Sequence, residues 1–144
     1  MRIDQLCGVM EYSMAQQEIE VILIRQLASY LAMPIVIVNS VGTLLFYNEP
    51  AEQLVAMRFE ETGEMSEDEW VNALMLTDEY GMPIAPEARP LLIALHERRP
   101  APTTMWSQSR DGVRRHVEVT AFPLISQAGR TLGAVAIFWE VKQA

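Results

Sequence analysis

Two consecutive strand patterns near the end of the chain constrain its fold more than any other feature. Residues 114–125 alternate between apolar and polar side chains, and residues 131–141 form an almost unbroken apolar run. Turn sequences precede them at 110–113 and 126–130. Alternation predicts a strand with one buried face, whereas the continuous run predicts a strand covered on both faces. We therefore expect an antiparallel hairpin within a larger sheet.

The residues before this hairpin predict three more strands and several helices. The additional strands are expected at 35–39, 43–47 and 103–109. Helices are expected over residues 49–57, with Asn48 as N-cap, from Ser66 through Met75, and from Pro86–Pro90 to Arg99. This order predicts an α+β domain, a five-stranded antiparallel sheet with helices on one face.

An amphipathic helix is expected before the domain. Apolar residues recur there at three- and four-residue spacing and include Ile19, Ile22, Leu23 and Leu27. The apolar stripe is broad, which is typical of a helix that contacts two surfaces. We predict that residues 1–32 form a helix that mediates dimerisation or covers the sheet, and that residues 33–144 form the domain. The alternative is that this helix only covers the domain's own sheet.

Composition narrows the class of protein. A chain of 144 residues is long enough to bury roughly 70% of its extended surface in one core. The net charge is −8, and the first 80 residues carry 14 acidic against three basic side chains, which disfavours nucleic-acid binding. A basic patch in the second half (Arg98, Arg99, Arg110, Arg114, Arg115) is interpreted as a solvated face.

The single cysteine, with no membrane span or signal peptide, predicts a cytoplasmic protein.

Catalytic and metal-binding patterns find little support. Cys7 has no neighbouring histidine, and the chain contains only His96 and His116. Its glycines occur singly, so no phosphate-binding loop is predicted. Six of the ten residues at 60–69 are acidic, but they lack the ligand alternation and the glycine turn of a calcium loop. We predict no enzymatic activity and no metal site.

The apolar face of the sheet is the better functional candidate. Small side chains on the last strand leave room for a small apolar ligand; the alternative is that methionines fill this space. The predicted lining residues are Leu92, Leu95, His96, Val117, Val119, Ala121, Ala134, Ala136 and Phe138. His96 is also the one candidate axial ligand for haem. The alternative is that His96 is a surface histidine near the end of a helix.

Three groups of residues resemble the PAS family of bacterial sensory domains, over about 31–141. Residues 33–54 (MPIVIVNSVGTLLFYNEPAEQL) are similar to its opening hairpin, asparagine and short helix, and residues 80–91 (YGMPIAPEARPL) to the segment before its long helix. Asp111-Gly, residues 117–124 and residues 133–138 are similar to its closing strands. The sequence departs from the family at two points. It has Glu140-Val-Lys where the family often has Asp-Ile-Thr, and its cysteine, Cys7, lies outside the domain, unlike the reactive cysteine of flavin photoreceptors.

The resemblance implies a sensory or regulatory module in signal transduction, such as a two-component system or transcription regulation. It would form a homodimer and bind a small ligand, a protein partner or an effector domain, without direct contact to nucleic acid or membrane. The cofactor is left unassigned, with haem and flavin disfavoured. The alternative function is a purely structural dimerisation domain with a filled core. The chain is either a fragment of a longer regulator or a free-standing PAS protein.

Overall fold

The computed structural model describes residue 19, residues 22–108 and residues 112–141. The chain divides into two compact units, Met1–Tyr30 and Leu31–Ala144. In the first unit, residues 22–30 form a helix, α1, as the apolar spacing predicts. The predicted helical residues before Ile19, and Cys7 with them, lie outside the described part of the chain.

The described residues of the second unit form six strands, four helices and a 3-10 turn. The strands are β1 (Ile35–Asn39), β2 (Leu44–Tyr47), β3 (Met75–Thr77), β4 (Ala101–Gln108), β5 (Arg114–Ile125) and β6 (Thr131–Glu140). The helices are α2 (Glu49–Val55), α3 (Phe59–Thr62), α4 (Glu67–Ala73) and α5 (Pro90–Glu97), and the 3-10 turn covers Pro86–Ala88. None of the helices among the described residues is long and apolar enough to span a bilayer.

The strands form one antiparallel sheet in the order β2-β1-β6-β5-β4-β3. The predicted α+β class and antiparallel pairing are confirmed, but the sheet has six strands instead of the predicted five. The additional strand is β3, because the helix predicted to run through Met75 ends at Ala73. β3 pairs with β4, where Leu76 lies opposite Ser107. Its hydrogen-bonding partners are distant in sequence, so local helix signals could not reveal it.

One face of the sheet carries the core. Val119 lies opposite Phe138, and Ala121 lies opposite Ala136, so their side chains share this face. Buried residues of the helices pack against it, including Trp70 of α4 and three leucines of α5 (Leu91, Leu92, Leu95). Helices and sheet therefore form two layers with the apolar core between them.

Asn48 ties the beginning of β1 to the beginning of α2. Its side-chain Oδ1 accepts hydrogen bonds from the backbone N–H groups of Ile35 (2.9 Å) and Ala51 (3.2 Å). Its Nδ2 donates to the carbonyl oxygen of Met33 at 2.8 Å, and the residue is 1% exposed. The predicted N-cap is thus confirmed, and the same amide also satisfies backbone groups at the entry to the sheet.

A close backbone approach explains the glycine at the start of β6. Gly133 has φ +154° and lies opposite Asn39 in the β1–β6 pair. A Cβ atom at this position would overlap the carbonyl oxygen of Val38. Only glycine lets the two strands pair at their observed separation.

Replacing Gly133 with alanine should lower the free energy of unfolding by about 2–4 kcal/mol, since the methyl group forces the strands apart at a strained φ. Urea denaturation followed by tryptophan fluorescence measures the loss. Gly129→Ala is the matched control: this turn glycine has φ +77° but nothing within 4 Å of its added Cβ, so only the cost of about 1–2 kcal/mol for the left-handed backbone is expected. Equal losses in the two variants would contradict the close-approach explanation.

Asn48→Ala should lower the free energy of unfolding by about 2–4 kcal/mol, because it removes a helix cap and leaves a buried N–H without a partner. The matched control is Ser66→Ala, which removes the exposed cap of α4 (Ser66 Oγ accepts from Glu69 N at 3.4 Å) and should cost about 1 kcal/mol or less. Urea denaturation of both variants provides the comparison. A loss at Asn48 no larger than that at Ser66 would refute the role of the buried hydrogen bonds.

Candidate functional site

The layer between the helices and the sheet contains a small cavity of about 10 Å³. α4 and α5 bound it on one side and the inner face of the sheet, including β3, bounds it on the other. Its lining includes Trp70, Leu74, Leu91, Met105, Val119, Ala136 and Phe138, together with Arg89. The volume is about that of a single water probe. In this conformation the site is therefore nearly filled.

Three of the predicted lining residues, Val119, Ala136 and Phe138, contribute to this cavity. Five others are buried in the surrounding core and support the lining without forming part of it: Leu92, Leu95, Val117, Ala121 and Ala134. The placement of His96 in the pocket is wrong, because its side chain is exposed. His96 lies in the last turn of α5, where the surface interpretation applies.

A second cavity of about 10 Å³ lies towards α2. It shares Leu74, Leu76 and Phe138 with the first cavity. Side chains thus divide the interior into small spaces, and neither space has room for a haem or an isoalloxazine ring. The residues present do not fit these cofactors in this packing, and the exposed His96 cannot serve as an axial ligand from within it.

Arg89 is the unexpected member of the cavity lining. It is 5% exposed and precedes α5, which begins without a side-chain cap. One of its nitrogens, Nη1, donates to the carbonyl oxygen of Leu74 at 3.3 Å, while its Nε is buried without a hydrogen-bond partner. Burial lowers the pKa of the Arg89 guanidinium from its ordinary value. Sequence patterns gave no signal for it, since an arginine between Ala88 and Pro90 is typical of an exposed helix start.

A larger groove of about 460 Å³ lies on the surface where the chain enters β1 and leaves β6. Its lining mixes apolar and charged residues, among them Met33, Leu54, Arg115 and Trp139. Arg115 donates to the carbonyl oxygen of Leu54 at 3.4 Å, and Trp139 donates its indole N–H to the Glu118 carboxylate. Arg115 and Trp139 of the groove lining are thus both hydrogen-bonded within the domain.

The predicted interface residues are exposed side chains in the first unit. Ile19, Ile22, Leu23 and Leu27 are 53–62% exposed, an unusual state for four large aliphatic residues so close in sequence. The three of them within residues 22–30 lie on α1. Their exposure leaves these apolar groups available for contact.

His116 belongs to an aromatic stack on the sheet. His116 stacks on Trp106, with ring centroids 4.5 Å apart and planes 13° from parallel, and Arg114 lies over the same indole at 4.4 Å. This stack lies on the sheet face opposite the core. Among residues 19, 22–108 and 112–141, no group of three or more His, Cys, Asp or Glu side chains could hold a metal ion.

The two-layer architecture is that of an α+β domain with an antiparallel sheet. No protein-family model matches the sequence, and a search of curated proteins finds no match. Solved structures do match. The PAS domain of BvgS from Bordetella pertussis is 14% identical, with TM-score 0.57 over 86% of this chain and 87% of that one.

Two further matches agree with this architecture. The PAS domain of nitrogen regulation protein NR(II) from Vibrio parahaemolyticus is 17% identical, with TM-score 0.57 over 83% and 98% of the two chains. A LOV protein from Rhodobacter sphaeroides is 12% identical, with TM-score 0.64 over 83% and 66%. The chain has the PAS fold, as the resemblance of its sequence predicts.

Because the interior is nearly filled, freshly purified protein should show no absorbance band above 350 nm in a spectrum normalised to its protein absorbance. Addition of excess haem or flavin mononucleotide followed by desalting should leave this spectrum unchanged. Stoichiometric retention of either chromophore would contradict the packing described above.

Proposed function

We propose that this chain is a sensory or regulatory module that responds to a small molecule or a protein partner in signal transduction. The PAS fold supports the proposal. The observation that carries it is the position of the cavity, which lies between α5 and the inner face of the sheet. A molecule that occupies this position must separate helix from sheet, so occupancy and conformation are coupled there.

The physical mechanism is a shift between two packing arrangements. In the described arrangement, Met105 and Ala136 adjoin a cavity of about 10 Å³, too small for an organic molecule. An expanded arrangement would accept a ligand, and methionine can change conformation at low cost. A ligand that binds only the expanded arrangement shifts the population towards it. The chain would then report this shift through α1 or through the end of β6.

A second candidate function is a purely structural dimerisation domain. The small volumes of both cavities favour it, because a filled core needs no ligand to be stable. Native mass spectrometry of freshly purified protein distinguishes the two functions. A bound small molecule, in addition to the mass of the chain, supports the sensor, whereas bare protein that no added ligand changes supports the structural domain.

Homodimerisation through α1 is part of the proposal. Exposed aliphatic side chains (Ile19, Ile22, Leu23, Leu27) support it, because their burial against a second copy removes apolar surface from water. A second copy presents the same apolar stripe, so a symmetric pair of α1 helices covers both stripes at once. We propose no catalytic role for the chain: His96 is exposed in the last turn of α5, and His116 is stacked on Trp106.

Replacement of both Ile22 and Leu23 with glutamate should convert the dimer to monomer, because charges at these positions resist burial against the partner. Light scattering coupled to gel filtration should give twice the chain mass for the original protein and the single chain mass for the variant. Val41→Glu is the control, since Val41 is even more exposed (74%) in the β1–β2 turn and lies outside the proposed interface. An unchanged mass in the double variant would place the interface elsewhere.

A further inference from the structure

Arg89 combines burial, positive charge and an unused hydrogen-bond donor. Its side chain lines the cavity between α5 and the sheet, and its Nε is buried without a partner. Its one side-chain hydrogen bond goes to a neutral acceptor, the carbonyl oxygen of Leu74. Within residues 22–108 and 112–141, no carboxylate forms an ion pair with it. The charge is thus enclosed without a counter-ion.

Such an arrangement is costly for a protein to maintain without a function. A guanidinium remains protonated near neutral pH even when its pKa falls, so Arg89 carries its charge into the core. Removing a charge from water is unfavourable unless an opposite charge or a full set of hydrogen bonds compensates. α5 adds to this field, because it begins at the same place without a side-chain cap and its N-terminal dipole is positive. The site therefore favours an anion.

We propose that the ligand of this module is a small carboxylate with an apolar body, held by Arg89; this inference rests on the sensory function proposed above. The guanidinium Nε–H donates to the carboxylate at the cavity end beside Leu74. The aliphatic or aromatic body of the ligand packs against Leu91, Met105 and Phe138. A planar carboxylate matches the guanidinium fork, whereas a phosphate would bring more charge into an apolar lining.

The same contact would make the ligand act as a signal. The described cavity holds no more than a water-sized probe, so the carboxylate binds only when α5 and the sheet separate. Its ion pair with Arg89 exists only in that expanded arrangement, which supplies the differential affinity that a conformational shift requires. A ligand of the same shape without charge lacks this contact.

The test uses the full chain with 4-methylpentanoate and phenylacetate as probes, and with their amides as uncharged controls of the same shape. Isothermal titration and thermal unfolding measure binding. We expect the carboxylates to bind and to raise the Tm, and the amides and inorganic phosphate to have no effect. Arg89→Met should weaken carboxylate binding by about 10- to 100-fold, the usual effect of losing one charged hydrogen bond.

Two measurements separate binding from a structural role of Arg89. Without ligand, Arg89→Met should unfold at a Tm equal to or above that of the original protein, since an uncompensated buried charge is replaced by an apolar side chain of similar length. Arg58→Gln, which removes an exposed arginine paired with Glu60, should bind the carboxylates unchanged. A marked loss of Tm in folded Arg89→Met, or no effect of either probe acid on the original protein, would overturn the inference.

The outcomes also distinguish this inference from the proposed function. If amides bind as tightly as acids, or native mass spectrometry finds a neutral molecule in both the original protein and Arg89→Met, the sensor stands and the carboxylate assignment fails. If neither acids nor amides bind and the purified protein carries no molecule, the ligand-sensing function fails as well. The proposal holds only if carboxylate binding is present and depends on Arg89.

Discussion

Antiparallel pairing between β1 and β6 is the interaction on which the rest of the structure depends. It brings Val36 opposite Ala136 and joins the beginning of the domain to its end. The pairing is tight enough that Gly133 cannot carry a side chain beside Val38. Because β1 and β6 are adjacent strands inside the sheet, the strands between them in sequence extend the sheet on either side of this pair, and the helices lie on its inner face.

The helices occupy that inner face and create the candidate site. α5 packs on β4, β5 and β6, while α4 supplies Trp70, whose indole N–H donates to the carbonyl oxygen of Gly42 at 2.8 Å. Two water-sized spaces lie in the core between these elements, and one of them adjoins Arg89. In the proposed function a ligand acts by changing this packing, and Arg89 is the buried charge that it would meet.

Local sequence signals predicted most elements of the fold. The bounds of β1 and β5 are confirmed, since alternation and flanking turns are properties of a few neighbouring residues. β3 was missed because three residues after a helix carry no recognisable period. The prediction that His96 faces the cavity is wrong. Helical spacing places His96 one turn after Leu92, but spacing alone does not determine whether a residue in the last turn of a short helix faces the core or the solvent.

By itself the sequence determined where strands, turns and helix caps form, because those depend on backbone preferences and on residues close in the chain. Its order of elements and its family-like segments also pointed to the PAS fold. Tertiary structure alone decided the sixth strand, the size of the cavity and the burial of Arg89. These depend on which side chains meet across the layer between α5 and the sheet, and such contacts join residues far apart in sequence.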